Sequence, residues 1–268
     1  MTGARLFRGL VVTVVAALLA AGCGDGGTKR SRAQPRIEAG GAHLTGSLTV
    51  FAAASLTEAF GDDKAQLERD NPGLSITYSF AGSQQLVAQV TAGAPADVVA
   101  TADQDSMGRL VSAGLVEPPR DFARNKLEIA VSPGNPKRIT SLRDLARSDL
   151  KVVLADPSVP AGRYGGQALD KARVAVKPVS LELDVKAVLQ KVTSGEADAG
   201  LVYATDVAAA GSSKVSGVDV APEHNVLASY PVAVVKATKN RAAAQGFVDQ
   251  LIQGPGQSAL VAHGFLAA

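Results

Sequence analysis

The sequence predicts an α/β protein built as two lobes, each an open, largely parallel sheet covered by helices, joined by a hinge. Three observations carry that expectation. Short apolar runs rich in strand formers alternate with amphipathic helical stretches along most of the chain, the rhythm of strands linked by crossover helices. Gly, Pro and Asn clusters punctuate the changes of period. A late strand and helix, 230–235 and 239–253, stand where a chain that had left one lobe would return to it.

The first segment is an export signal. Arg5 and Arg8 precede an apolar run from Leu10 to Ala21, too short for a membrane span of roughly 20 residues but suited to a signal peptide over 1–22. Ala20-Ala21-Gly22-Cys23 resembles the lipobox of bacterial lipoproteins, with Ala20 where Leu is commonest. That resemblance makes Cys23 a lipidation site and 23–46, Gly-rich and without hydrophobic period, a lipid-anchored flexible tether.

The folded elements follow in order. Strand 48–52 leads through Ser55 into a helix ending near Asp70, and Asn71-Pro72-Gly73 breaks it. Strand 74–80 alternates with period two, and Ser83 opens a helix to Ala92. Strand 97–100 precedes a helix over 106–113, stopped by Gly114. The rhythm continues as strand 127–131, helix 141–147, strand 151–155, helix 162–173, strand 175–179, helix 184–194 and strand 199–203. Pro133 and Pro136 mark a crossing between lobes. The expected division is 47–127 with 230–268 as one lobe and 128–229 as the other.

Composition removes several functions. One Cys in 268 residues excludes an intramolecular disulfide framework and a Cys-rich zinc module. His43, His224 and His263 are far apart in sequence and offer no paired metal-ligand spacing, so no metal cation is expected. Without Arg5 and Arg8 the 27 basic residues fall to 25, equal to the 25 acidic ones, so no basic field recruits nucleic acid. No G-x-S-x-G elbow, G-x-G-x-x-G turn or Walker loop occurs, and Ser148-Asp149-Leu150-Lys151 lacks the partner triplets of its motif. Catalytic residues and cofactors are therefore expected to be none. The acidic neighbours Asp62 and Asp63, and Glu182 and Asp184, read as solvated helix-end charges.

In open α/β sheets ligands bind beyond the carboxyl ends of the strands. Those positions carry Ala53-Ala54-Ser55, Ala81-Gly82-Ser83, Asp156 through Gly162, and Thr205. Small residues and hydroxyls at helix starts suit N-caps, and helix N-termini bind anions through backbone N–H groups and the dipole.

Several segments carry a family resemblance: Val50-Phe51-Ala52-Ala53-Ala54-Ser55-Leu56, Phe80-Ala81-Gly82-Ser83, Ala94-Pro95-Ala96-Asp97-Val98, Asp156-Pro157 with Val159 through Tyr164, Asp184-Val185, and Gly200-Leu201-Val202-Tyr203. In this order and spacing, the chain resembles the extracytoplasmic molybdate-binding proteins of ABC importers over nearly all of 47–268. The resemblance implies the type II two-lobed solute-binding fold and a monomeric, lipid-anchored receptor outside the cell membrane. Its partners would be permease subunits and a molybdate or tungstate oxyanion. It further implies oxyanion binding by Ser55 and Ser83 through hydroxyl and backbone N–H, by the backbone N–H of Ala161 and Val185, and by the Tyr203 hydroxyl. Read from the residues alone, Tyr203 is a half-buried strand aromatic; Arg163 and Asp184 are rim residues. A receptor for sulfate or another tetrahedral oxyanion, a secreted α/β hydrolase and an envelope interaction module stand as alternatives.

Overall fold

The computed structural model describes residues 43–268. The signal peptide 1–22, Cys23 and the tether through residue 42 lie outside the described residues. The last part of the expected tether is instead docked, Leu44 packing against the core with its N–H on Asn71 Oδ1 and Gly46 already in a strand.

Strand β1 (Gly46–Ala53) turns Leu48, Val50 and Ala52 toward the main core and Phe51 toward a second apolar cluster with Leu86, Met107 and Leu110. Both faces are buried, as a sheet covered by helices on each side requires. A 3-10 turn, Ala54–Leu56, leads into α1 (Thr57–Asp70), whose Ala59, Phe60, Asp63 and Leu67 face inward at helical spacing. Then come β2 (Leu74–Ala81), α2 (Ser83–Thr91), β3 (Val98–Ala100), α3 (Gln104–Ser112) and β4 (Arg120–Asn125).

The chain next builds a second sheet. It runs through β5 (Leu127–Val131), a 3-10 turn at Leu142–Ala146, β6 (Val152–Ala155), α4 (Pro160–Ala172), β7 (Ser180–Glu182), α5 (Val185–Thr193), β8 (Ala199–Tyr203), α6 (Ala204–Ala210) and β9 (Ser216–Asp219). It then returns through β10 (Ala228–Val234), α7 (Arg241–Gln253) and α8 (Pro255–Ala262). The two five-stranded sheets are ordered β2-β1-β3-β10-β4 and β7-β6-β8-β5-β9.

The fold is α/β, and its sheets are mixed. In each, one strand opposes the direction of the other four: β10 in the first and β5 in the second. These are the strands by which the chain enters each sheet from the other. The crossings are Lys126 and the segment between Asp219 and Ala228, so Pro133 and Pro136 lie in a turn beyond β5 rather than at a crossing.

Other expectations shift as well. The strand expected at 175–179 lies at 180–182 and the helix at 141–147 is one short 3-10 turn; β4, α6, β9 and α8 were not anticipated. Asp63 is not solvated but 1% exposed, because Phe60 and Leu67 one turn to either side carry it into the core. No described helix is long and apolar enough to cross a membrane.

Candidate functional site

Residues at the carboxyl ends of β1, β2, β3, β6, β7 and β8 line a small cavity between the two sheets. Its lining includes Ser55, Ser83, Ala161, Val185 and Tyr203, so all five residues singled out in the sequence meet in one place.

The helix starts explain the convergence. Ala161 is the second residue of α4, after Pro160 at the first position, where a missing N–H costs nothing. Its own N–H lies ahead of the intrahelical ladder and is open to an external acceptor. Gly162 lets this turn approach the end of β6: a Cβ there would stand 2.0 Å from the Asp156 carbonyl oxygen. Val185 opens α5, with Asp184 at the cap accepting the Ala187 N–H at 2.9 Å. Asp184 is the one charged residue of the lining.

The two serines are buried, and neither caps a helix with its side chain. Ser83 Oγ accepts the Ala102 N–H at 3.0 Å, which leaves its own O–H to donate. Ser55 Oγ stands 2.9 Å from the Tyr230 hydroxyl. With Tyr230 as donor, the Ser55 O–H is likewise left to the cavity. Sequence reading missed Tyr230, since a strand aromatic 175 residues away carries no signal of that pairing.

Tyr203 ends β8 with its ring fully in the core rather than half-buried. It meets Tyr230 edge-on at 5.9 Å between ring centroids, and Tyr230 meets Phe265 at 5.4 Å. Its hydroxyl makes no hydrogen bond of good geometry in the described structure, with the Tyr230 side chain as its polar neighbour. Burial, with Tyr230 beside it, holds the phenol well above its usual range, so it is a donor at any ordinary pH. Asp206, at the third position of α6, accepts the Tyr203 N–H at 3.1 Å and fixes that corner.

The arrangement offers inward-facing neutral donors and helix N-termini, which suits a small anion. Among the described residues, no cluster of three His, Cys, Asp or Glu side chains could hold a metal ion. Arg163 and Lys186 lie near the cavity without lining it.

Comparison with known proteins gives this geometry a context. The family described as bacterial extracellular solute-binding protein matches residues 48–266. The molybdate-binding protein of Mycobacterium tuberculosis is 40% identical over 258 residues, 96% of this chain and 97% of that protein. A putative ABC transporter substrate-binding lipoprotein of Bacillus subtilis is 33% identical, over 82% of this chain and 86% of its own. Among solved structures, the sulfate-binding protein SubI of M. tuberculosis superposes with a TM-score of 0.74 at 21% identity, over 83% of this chain and 87% of that one. That last likeness is one of fold.

Proposed function

The chain belongs to the bacterial extracellular solute-binding protein family, and on that premise we propose that it is a receptor, not an enzyme. It binds molybdate or tungstate between its two sheets and hands the anion to the permease of an ABC importer. The carrying observation is the unpartnered Tyr203 hydroxyl, buried in the same cavity as Ser55, Ser83, Ala161 and Val185. A buried hydroxyl without a partner costs about 1–3 kcal/mol, and an oxyanion oxygen would repay that cost. The 40% identity to a molybdate-binding protein supports the same reading.

A tetrahedral dianion surrenders strong hydration on entering such a site. Charge-assisted hydrogen bonds of about 2.7–2.9 Å replace it. The Ser55, Ser83 and Tyr203 hydroxyls and the N–H groups of Ala161 and Val185 supply them, and the dipoles of the helix starts add favourable potential. Neutral donors also permit release, which a buried lysine in direct contact would slow. Cavity size then separates molybdate and tungstate from the smaller sulfate.

The two sheets mark two lobes that close over the ligand. The expected division of 47–127 with 230–268 against 128–229 moves by one or two residues to fit the sheets, since Leu127 belongs to β5 and Ala228 and Ser229 to β10; the proposed pivots are Lys126 and the return between Asp219 and Ala228. Cys23 carries the lipid that keeps the monomeric receptor at the outer face of the cell membrane.

Calorimetric titration of the mature protein with molybdate, tungstate, sulfate and phosphate tests the ligand. Tight binding of the first two, with sulfate at least about a hundredfold weaker, is expected. Equal affinity for sulfate would make this a general oxyanion receptor, and binding of none would end the reading. For the anchor, Cys23→Ala should move the protein from the membrane to the soluble fraction.

A further inference from the structure

Two cations sit where helix electrostatics disfavours them. Arg163 is the fourth residue of α4 and Lys186 the second of α5, both in the first turns of helices that open onto the cavity. A positive charge there opposes the helix dipole. Each is matched by an acid from the first sheet's helices, and those acids are favourably placed. Glu58 lies in the first turn of α1, and Asp103 caps α3 by accepting the Ser106 N–H at 3.1 Å.

Both pairs join helices of the first sheet to helices of the second, across the cleft. The Arg163 guanidinium donates to the Asp103 carboxylate, and its Nε lies 3.7 Å from Asp105. Lys186 Nζ lies 2.7 Å from Glu58 and 2.9 Å from the buried Asp206, which in turn holds the Tyr203 N–H. The first pair is the more enclosed, with side chains 19% and 4% exposed against 24% and 40%. The two sides also touch closely at the end of β7: Gln84 Nε2 donates to the Leu183 carbonyl at 2.7 Å, and a Cβ on Gly82 would collide with that carbonyl.

We propose that Arg163–Asp103 and Lys186–Glu58 are two latches across the cleft, positioning pairs that set how long the oxyanion stays bound. The proposal rests on the receptor reading above. With the cleft open, the two cations face the incoming dianion and draw it in. Closure then brings each a partner from across the cleft, Lys186 keeping Asp206 of its own side throughout, so the attraction that speeds arrival becomes the contact that delays departure. The acid and cation halves therefore have separable kinetic roles.

Stopped-flow kinetics of the mature protein with molybdate reads both. Glu58→Gln leaves the cations in place, so association should hold at the wild-type rate while release quickens about three- to fivefold. Asp103→Asn retains a capping side chain and should release about tenfold faster, its pair being less exposed. Lys186→Met should quicken release and also slow association at low salt, and Lys186→Arg should restore both. Melting curves without ligand identify any variant that fails to fold. Wild-type release from both Glu58→Gln and Asp103→Asn would overturn the latches while leaving the receptor intact. A wild-type protein that binds no oxyanion would sink both ideas.

Discussion

Tyr203 and Tyr78 each bury a phenol oxygen that finds no hydrogen-bond partner among the described residues, and their surroundings are opposite. Tyr203 looks into a cavity whose other walls are helix starts and serine hydroxyls. Tyr78 on β2 is packed among Phe60, Phe80 and Phe247, with ring centroids 5.2–6.4 Å away. Near it lies Asp63, whose two carboxylate oxygens are also unpartnered. α8 closes over that side, since a Cβ on Gly256 would stand 3.1 Å from Asp63 Oδ1. An unsatisfied polar atom is thus not a functional mark by itself. What distinguishes the first place is space lined by further donors; the second is a cost to stability held in place by packing.

The largest test of that contrast is at Asp63. Burial raises its carboxyl from the ordinary range to about 7. The folded state therefore keeps a proton that the unfolded state releases near pH ~4. Stability from this group is fully present below about pH 4, declines as pH rises toward 7, and is lost above it. The difference is about 4 kcal/mol. Asp63→Asn should remove most of that pH dependence and stabilise the protein at pH 8, leaving oxyanion affinity unchanged. Urea unfolding at pH 4.5, 6 and 8 measures it; an unaltered slope would place the titration elsewhere.

The sequence disclosed the two regions unequally. Ser55, Ser83 and Ala161 were legible because strand ends followed by small residues and a helix start are local patterns. Val185 and Tyr203 came only through family resemblance, since an apolar residue offering its N–H and a core aromatic offering its hydroxyl have no local signature. The Asp63 pocket was hidden because α8 begins at Gly254-Pro255-Gly256, which reads as a chain break although Pro suits a first helical position. The missed β4 and β9 are the polar edge strands of their sheets. β7, also an edge, leaves Leu181 and its neighbours Val179 and Leu183 exposed, so an apolar pattern there misdirected the assignment by several residues. Cross-cleft pairs such as Arg163–Asp103 join residues 60 apart and have no periodicity to read.

Effects of middle size are expected in the cavity. Ser83→Ala removes the donor while its Ala102 N–H contact is also lost, and Ser55→Ala leaves Tyr230 without its partner. Each should weaken molybdate binding by about 1.5–3 kcal/mol, the value of a hydrogen bond to a charged group. Tyr203→Phe keeps the ring against Tyr230 and should weaken binding by a similar amount, mainly through faster release. Calorimetry and stopped-flow mixing read these; wild-type affinity in all three variants would move the site away from this cavity.

The smallest effect completes the pairing, because the same substitution at the other tyrosine should have the opposite consequence. Tyr78→Phe deletes a buried hydroxyl that has no partner among the described residues and leaves the aromatic packing with Phe60 and Phe80 intact. Removing an unsatisfied group from a packed site relieves part of its desolvation cost, a gain of about 1 kcal/mol. In a chain of this size that raises Tm by roughly 2–4 °C, with molybdate affinity and release at wild-type values. Tyr203→Phe should show a comparable gain in unliganded stability, for the same reason, and lose it as a net benefit once ligand is added. Melting curves of both variants with and without molybdate separate the two places directly. If Tyr78→Phe lowers Tm, its hydroxyl is engaged and the contrast between a working and a merely tolerated orphan fails.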